Sequence, residues 1–516
     1  MNPPSTIEYG LRRVVITITV ILCSLLELID TSIVNVATTN LMGNLGATLG
    51  EVSWVIAAYG IANVIVVPMS GWFSAQFGRR NYYVGSVILF TLASVLCGNS
   101  TNIWELAFFR FVQGVGGGAL LATSQTILTE IYPPEKRGMA SAMFGMGVIM
   151  GPTLGPLLGG YLIDNFEWPM IFYVNLPVGI IAAILSASYI KNTKPERADG
   201  YKVDFIGMIL LIVGVGSLQL VLEQGDREDW FESTFILSAT ITAVLGILFF
   251  IWRELTTEHP IVDLRVFQKG NVAIGTVLSF ILGLGLFASV FIYPVYVQRF
   301  LGFTAFQTGL SLLPGALASG MMMPVVGIML QKGVSPKILI PIGFCAFFAF
   351  TQMCTYIISP ITGQDDFFYA LLMRGVGLGM LFVPLTTLSL TGLQGRDIAQ
   401  ASGITSMMRQ LGGAFSVALV SVFSEHTNQQ HRLDLLTNVT AHNPNATERL
   451  ATYTSAFSAR GTGDAAQQAY LALDNVVSRQ AMILTYKDVF LYLGIFFICC
   501  MPLVFLAKSV KAAKRS

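Results

Sequence analysis

The sequence predicts an all-α polytopic membrane protein of fourteen spans, and three observations carry that prediction. Charged residues are 11% of the chain, against about 25% in soluble domains, and the mean hydropathy is +0.67. Apolar residues fall in runs of roughly 20, the length needed to cross a ~30 Å hydrocarbon core. Lysines and arginines, finally, sit overwhelmingly on one side of the runs. The net charge of +1 says little about partners, and nothing in the sequence suggests nucleic acid.

Taken in order, the first run covers about 14–36. It follows Arg12 and Arg13 as a signal peptide would, but Glu27 and Asp30 interrupt its end and no small-residue cleavage site follows clearly. It is therefore a retained span. Runs at 52–72 and 82–99 are joined by "GWFSAQFGRR" (Gly71 to Arg80), where Gly71 and Gly78 allow a tight turn. Arg79 and Arg80 anchor that turn at the lipid headgroups. The run at 104–128 carries Arg110 and a glycine cluster, and that at 138–163 is rich in Gly and Pro. The sixth run ends near 190, and two more lie at 204–222 and 234–252. The remaining six are 271–296, 306–330, 337–357, 366–391, 397–424 and 488–508.

An even number of spans puts both termini on one side. Twenty Lys and Arg accompany that side, from Arg12 and Arg13 through Arg79, Lys136, Lys194, Arg197 and Lys202 to the cluster Lys508, Lys511, Lys514 and Arg515. Short loops on the other side offer Arg227 and Arg299. Both termini are expected in the cytoplasm. The long polar loop 425–487 then lies outside, with Asn445 and Asp464 as helix caps. It reads as a small amphipathic helical hairpin, either a lid or a docking surface for a partner.

An internal repeat is visible. Gly114-Val115-Gly116-Gly117-Gly118 recurs as Gly375-Val376-Gly377-Leu378-Gly379 at an offset of 261 residues, and the same offset pairs Ala140-Ser141 with Ala401-Ser402 and Gly151 with Gly412. Many transporters are built from repeated halves with the substrate site between them. The expected organisation is an N-terminal six-helix bundle (1–190), two inserted helices with their linkers (191–270), and a C-terminal six-helix bundle (271–516) that includes the 425–487 loop.

The candidate site rests on charges inside spans. Glu27 and Asp30 are three apart, so they share a helix face. A carboxylate at the bilayer centre costs at least ~2.5–3.5 kcal/mol and marks function by default. Arg110, Arg374 and Arg409 are intramembrane cations, and Arg374 is the counterpart of Gln113 under the repeat. In the fifth span, "GVIMGPTLGPLLGG", Gly147, Gly151, Gly155 and Gly159 recur every four residues and give another helix a smooth surface. Pro152 and Pro156 each remove a backbone hydrogen bond. Together they read as a bendable, tightly sealed interface near a gate. The six cysteines lack metal-ligand spacing and the four histidines lie in loops, so neither a metal nor a cofactor is expected. "GTGD" (Gly461 to Asp464) has the form of an intramembrane protease motif but sits in a polar loop.

These residues resemble the major facilitator superfamily and, within it, the fourteen-span drug:proton antiporters of the EmrB type. "LIDTSIVNVA" is similar to the family's first-span motif, with Asp30 as its acid and Asn35 downstream. "GWFSAQFGRR" resembles the loop motif, "RFVQG" the span-four motif with its arginine Arg110, and "GPTLGPLLGG" the antiporter motif. "WPMIFYVNLPVG" and "RQLGGAFSVAL" are also family-like. One departure is Ala75, where the loop motif usually has an aspartate. The resemblance implies a major facilitator fold with two added helices and a non-enzymatic role: secondary active efflux driven by protons as coupling ion. It also implies a bacterial inner-membrane pump working with a periplasmic adaptor and an outer-membrane channel.

In that architecture spans 1, 4, 9 and 12 line the cavity, gathering Glu27, Asp30, Arg110, Gln113 and Arg374, with Asn35 and Arg409 nearby. Burial raises a carboxyl's pKa and a nearby arginine lowers it. Moving Arg110 relative to Asp30 would then couple amphipathic cargo to protons. The expectation is that Asp30 carries the proton, assisted by Glu27. A dedicated exporter of a fatty acid, siderophore or peptide, a membrane enzyme and a scaffold are the rivals.

Overall fold

The computed structural model describes residues 7–192, 203–363, 365–459 and 464–507. Lys194, Arg197, Lys202, Gly461 to Gly463 and the basic cluster from Lys508 onward lie outside the described residues. Among those described there are seventeen α-helices and no strand: α1 (Gly10–Ile33), α2 (Thr38–Leu45), α3 (Leu49–Phe77), α4 (Arg79–Gly98), α5 (Ile103–Ile131), α6 (Arg137–Asn165), α7 (Met170–Tyr173), α8 (Asn175–Tyr189), α9 (Phe205–Gln224), α10 (Thr234–Thr256), α11 (Val272–Phe300), α12 (Ala305–Gln331), α13 (Pro336–Ile357), α14 (Phe368–Leu390), α15 (Arg396–Leu436), α16 (Pro444–Ala459) and α17 (Ala465–Cys500). Fourteen segments are long and apolar enough to span a membrane, and each coincides with a predicted run.

Local chemistry sets the ends. Thr48 and Glu51 form a capping box on α3, Thr304 and Gln307 do so on α12, and Asn102 caps α5. Span six is broken at Val174. Pro177 has no amide hydrogen and its ring crowds the carbonyl of Tyr173, so α8 restarts at Asn175. Span one gives way at Val34–Val36 to a 3₁₀ turn.

Three expectations about local structure are corrected. Gly71 makes no turn: α3 runs to Phe77, and only Gly78, at φ 82°, turns the chain. Gly71 is small because the backbone of Ala399 in α15 passes it, 3.4 Å from where a Cβ would stand. Arg79 is not a headgroup anchor, for its guanidinium grips Glu130 of α5 through two bonds. The cap of α16 is Asn443, whose side chain accepts from the Asn445 amide, while Asn445 is already inside the helix. Asp464 caps α17 as expected, accepting from Gln467. The last two spans also run well past their predicted ends. Polar α15 and α17 continue as rods, tied by Arg432–Asp474 and His431–Asp488, each at 2.7 Å, with α16 packed on α17.

We call the side where α1 begins the near side. α9 and α10 cross at Gly214 and Gly246, where backbones meet directly, and α9 lies against α3 through Gly216 and Ile65. Between them, Met208 and Ile212 of α9 close one wall of an apolar cleft of about 650 Å³ otherwise formed by α3, α4 and α5.

α6 is the hub of the packing. Its glycine stripe faces α1: Gly147 meets Ile21, Gly151 meets Leu28, Gly155 meets Ser32 and Gly159 meets Ile33. Its opposite face packs on the C-terminal half, from Gly138 against Leu330 at the near end to Gly160 against Phe306 at the far end. The near side is closed between halves by α3 and α15, where Gly403 lies against the Val67 carbonyl. At Gly309 a Cβ would stand 2.7 Å from the Leu157 backbone. Gly309→Leu is therefore expected to cost about 1–3 kcal/mol by overpacking, read as a lowered melting temperature of the purified protein. Unchanged melting would refute the contact.

Candidate functional site: a buried charge cluster on α1

α1 presents Glu27 and Asp30 on one face, 2% and 0% exposed. The four glycines of α6 seat closely against the Ile21, Leu28, Ser32 and Ile33 face of this helix, while the acids turn toward α3, α5 and α8. The glycine run of α5 does the same for α3. A Cβ on Gly114 would stand 2.5 Å from the Tyr59 carbonyl, and one on Gly118 would stand 2.6 Å from that of Asn63. The run thus brings Tyr59 and Asn63, one turn apart, to the acids.

Asp30 sits in a cradle of three donors. Arg110 reaches Oδ2 at 2.5 Å, and Gln113 and Asn175 reach Oδ1 at 2.9 and 2.7 Å. Arg110 also donates to Gln113 at 2.8 Å and stacks 4.1 Å from the Tyr59 ring centroid. Asn175 is in turn fixed by Ser94 at 3.0 Å, and Cys97 donates to Gln113 at 3.6 Å. Every donor to Asp30 comes from α5 or α8, in the same half as α1. A carboxylate taken out of water costs several kcal/mol unless paired and fully hydrogen-bonded, and this cradle supplies both.

Glu27 differs. Asn63 donates to one oxygen at 2.9 Å, while the other is buried without a partner. Within its electrostatic reach is Arg409 of α15, across the boundary between halves. Arg409 donates to Ser406 at 3.2 Å and lies 5.0 Å from the Phe382 ring. Ser406 itself donates to Gln125 of α5 at 3.3 Å, a hydrogen bond across the boundary. Asn63 Oδ1, Gln125 Nε2, Ser402 Oγ and Thr405 Oγ1 are also buried and unpartnered. These are polar atoms with capacity to spare at a seam between two bodies.

Of the predicted residues, Glu27, Asp30, Arg110, Gln113 and Arg409 come together. Two do not. Asn35 is exposed in the 3₁₀ turn at the far end of α1. Arg374 is buried inside the C-terminal half, near Gly315 of α12. Asn63, Asn175, Tyr59, Gln125 and Ser406 were not predicted. Their signal is present as amides and hydroxyls inside apolar runs, but single neutral polar residues in spans are common enough that charge, the repeat and the family motif drew the prediction instead. Glu130 was missed for its place at the very end of its span. Ala75 has no charge to offer, and the Arg79–Glu130 pair holds α4 to α5 within one half.

Comparison with known proteins places this geometry in context. The Major Facilitator Superfamily profile matches residues 20–417. The chain is 32% identical to the multidrug export protein EmrB of Escherichia coli K12 over 499 residues, 97% of this chain and 96% of that one. It is equally 32% identical to the fatty acid resistance protein FarB of Neisseria gonorrhoeae over 496 residues, 96% of each. Among solved structures, the proton:xylose symporter XylE superposes with a TM-score of 0.58 over 96% of this chain and 99% of that one. At 14% identity, that likeness is one of fold alone.

Proposed function

Because the chain belongs to the major facilitator superfamily, we propose that it exports amphipathic small molecules across the inner membrane in exchange for protons. Its multidrug-export relatives support efflux of drug-like compounds. The observation that carries proton coupling is the pair of buried acids on α1, one cradled by three donors and one left half-satisfied at the boundary between halves.

In this reading the two six-helix bundles, 1–190 and 271–516, rock against each other while 191–270 stays with the first. Both termini are cytoplasmic, so the near side is the cytoplasmic side and is shut by α3 and α15. A carboxyl's proton occupancy follows its cationic partner. Rocking changes the distance from Glu27 to Arg409 because they belong to different bodies. Rocking alone leaves the Asp30 cradle intact, since all its members move together. Asp30 is the proton carrier when cargo or a bend in α1 at Val34–Val36 pulls it from Arg110, and Glu27 passes the state of the C-terminal half to it. Gln113 and Arg409 bound the cargo chamber, with Asn35 at its far exit. Gly147, Gly151, Pro152, Gly155, Pro156 and Gly159 let α6 flex on α1. The extended ends of α15 and α17 are the docking surface for a periplasmic adaptor that leads to an outer-membrane channel.

A second reading, dedicated export of a fatty acid, is supported by the relative whose name carries fatty acid resistance. The buried Arg374 is the observation on its side. The test of the main reading is dye accumulation in everted vesicles. A respiration-driven proton gradient is expected to drive uptake, and an uncoupler to release it. Uptake indifferent to the uncoupler rules out proton antiport.

A further inference from the structure

The link between the inserted helices and the C-terminal half is built into the packing. Residues 257–271 join α10 to α11 on the near side, and within them Ile261 and Val262 are 0% and 1% exposed. Both belong to one apolar cluster with Trp72 of α3, Phe250 of α10 and Ile398 of α15. Gln400 of α15, itself buried, holds the segment with both ends of its amide. Its Nε2 donates to the Ile261 carbonyl and its Oε1 accepts from the Asp263 amide, each at 3.3 Å. Asp397, three residues earlier and so on the same face of α15, holds Lys269 at 2.7 Å. Gln400 is also a seam residue, for its backbone nitrogen lies 3.5 Å from where a Cβ on Gly71 of α3 would stand. The segment thus grips α15 where α15 closes on α3. α9 meanwhile lies on α3, where Ser53 donates to Gln224 at 3.1 Å. The inserted pair therefore rests on one half and is strapped to the other.

At the α10 end the strap is fastened by a buried acid. Glu254 is 0% exposed. One of its oxygens accepts from the Val262 amide at 3.2 Å, between the two residues that Gln400 holds. The other, Oε1, is buried with no hydrogen-bond partner among the described residues. It faces Gly207 in the first turn of α9, and so does Oδ2 of Asp204, which caps that helix. A Cβ on Gly207 would stand 2.7 Å from the first oxygen and 2.9 Å from the second. Asp204 is fixed by the Gly207 amide at 3.1 Å and by Arg253 at 3.0 Å. The charged groups facing Glu254 are Asp204 ahead of α9, Arg253 on α10 and Asp263 in the strap, while Arg265 donates to the Leu255 and Thr257 carbonyls. One guanidinium thus serves a cluster of acids, and like charges sharing a dry site disfavour each other. A proton on Oε1 gives the orphaned oxygen a donor to turn toward Asp204 and leaves the other oxygen to hold Val262. Without it two carboxylates repel over Gly207. Asp204 is held by its own bonds, so the repulsion falls on Glu254 and loosens its hold on Val262.

We propose that residues 257–271 are a strap tying the inserted pair to α15, set by a proton that Glu254 holds toward Asp204 and released when that proton passes to water on the near side. Acid on the near side then keeps that side shut, and its removal frees α15 to part from α3. The parting rests on the rocking reading above; the strap itself does not. The test is hydrogen–deuterium exchange of the purified full-length protein in nanodiscs, read by mass spectrometry on peptides covering 257–271 and corrected for the intrinsic pH dependence of exchange. Raising the pH from mildly acidic to mildly alkaline is expected to speed their exchange roughly tenfold or more, as loss of a hydrogen bond to a charged group does. Glu254→Gln keeps an acceptor for Val262 and a donor for Asp204, so its strap should exchange slowly at every pH. Gln400→Ala should exchange fast at every pH. An unaltered protein whose strap exchanges alike across the range overturns the proposal, whether or not the variants fold. So does a Glu254→Gln protein that keeps the full pH response, since the responding acid then lies elsewhere. Where that variant does not fold, Asp204→Asn removes the facing charge and is expected to flatten the response, and a response retained there overturns the proposal as well. Proton-driven dye uptake is measured alongside. If uptake fails while exchange behaves as expected, the strap stands and the antiport reading falls.

Discussion

Asp30→Asn is expected to leave a folded, membrane-inserted protein whose dye uptake into everted vesicles falls to that of empty vesicles. The amide keeps the shape of the side chain and can still accept from Gln113 or Asn175, which reach the same oxygen in the native protein. What it lacks is a proton to exchange. The substitution also leaves Arg110 without its counter-charge, but that guanidinium keeps Gln113 and the Tyr59 ring. Chemistry should therefore be lost before structure is. The check is uptake together with melting temperature. Near-normal uptake in Asp30→Asn removes Asp30 from the coupling path, and a collapsed protein makes its role structural.

The converse change should act the other way round. Arg110→Leu strands the Asp30 carboxylate in a dry site with two neutral donors. Removing one partner of a buried ion pair costs about 3–5 kcal/mol, so the single variant is expected to accumulate poorly and melt early. Adding Asp30→Asn to it removes the stranded charge and should recover most of the folded protein while transport stays absent. Recovery of folding by the second change is the signature of a coupled pair. If Arg110→Leu folds normally on its own, the ion pair at 2.5 Å contributes little and the burial argument for this cluster fails.

Much of this was legible in the chain because lipid removes alternatives. Inside a bilayer the backbone must satisfy itself, so apolar length alone locates helices, and all fourteen spans were found. Charges inside them are expensive, so Glu27, Asp30, Arg110, Arg374 and Arg409 announced themselves. Which of them meet was less visible. Arg374 and Arg110 read alike in sequence, yet among the described residues Arg110 has a carboxylate partner and Arg374 forms no ion pair, because that depends on which helix packs beside it. The small-residue stripes told that something packs closely, but not what. Gly71 read as a turn residue because it sits near an RR pair, whereas it is a contact point for a helix some 330 positions onward. The far ends of α15 and α17 read as a separate helical hairpin rather than as continuations of the spans, since hydropathy marks where lipid stops and says nothing about where a helix does.

That last feature has a mechanical side. α15 is one continuous helix of 41 residues, ~60 Å of rod, with its near end wedged against α3 and its polar far end tied to α17. A rigid rod of that length moves its tip by ~1 Å for each degree of tilt. A small tilt at the seam with α3 is thus magnified at the far tip. Whatever grips that tip in turn pulls on the latch.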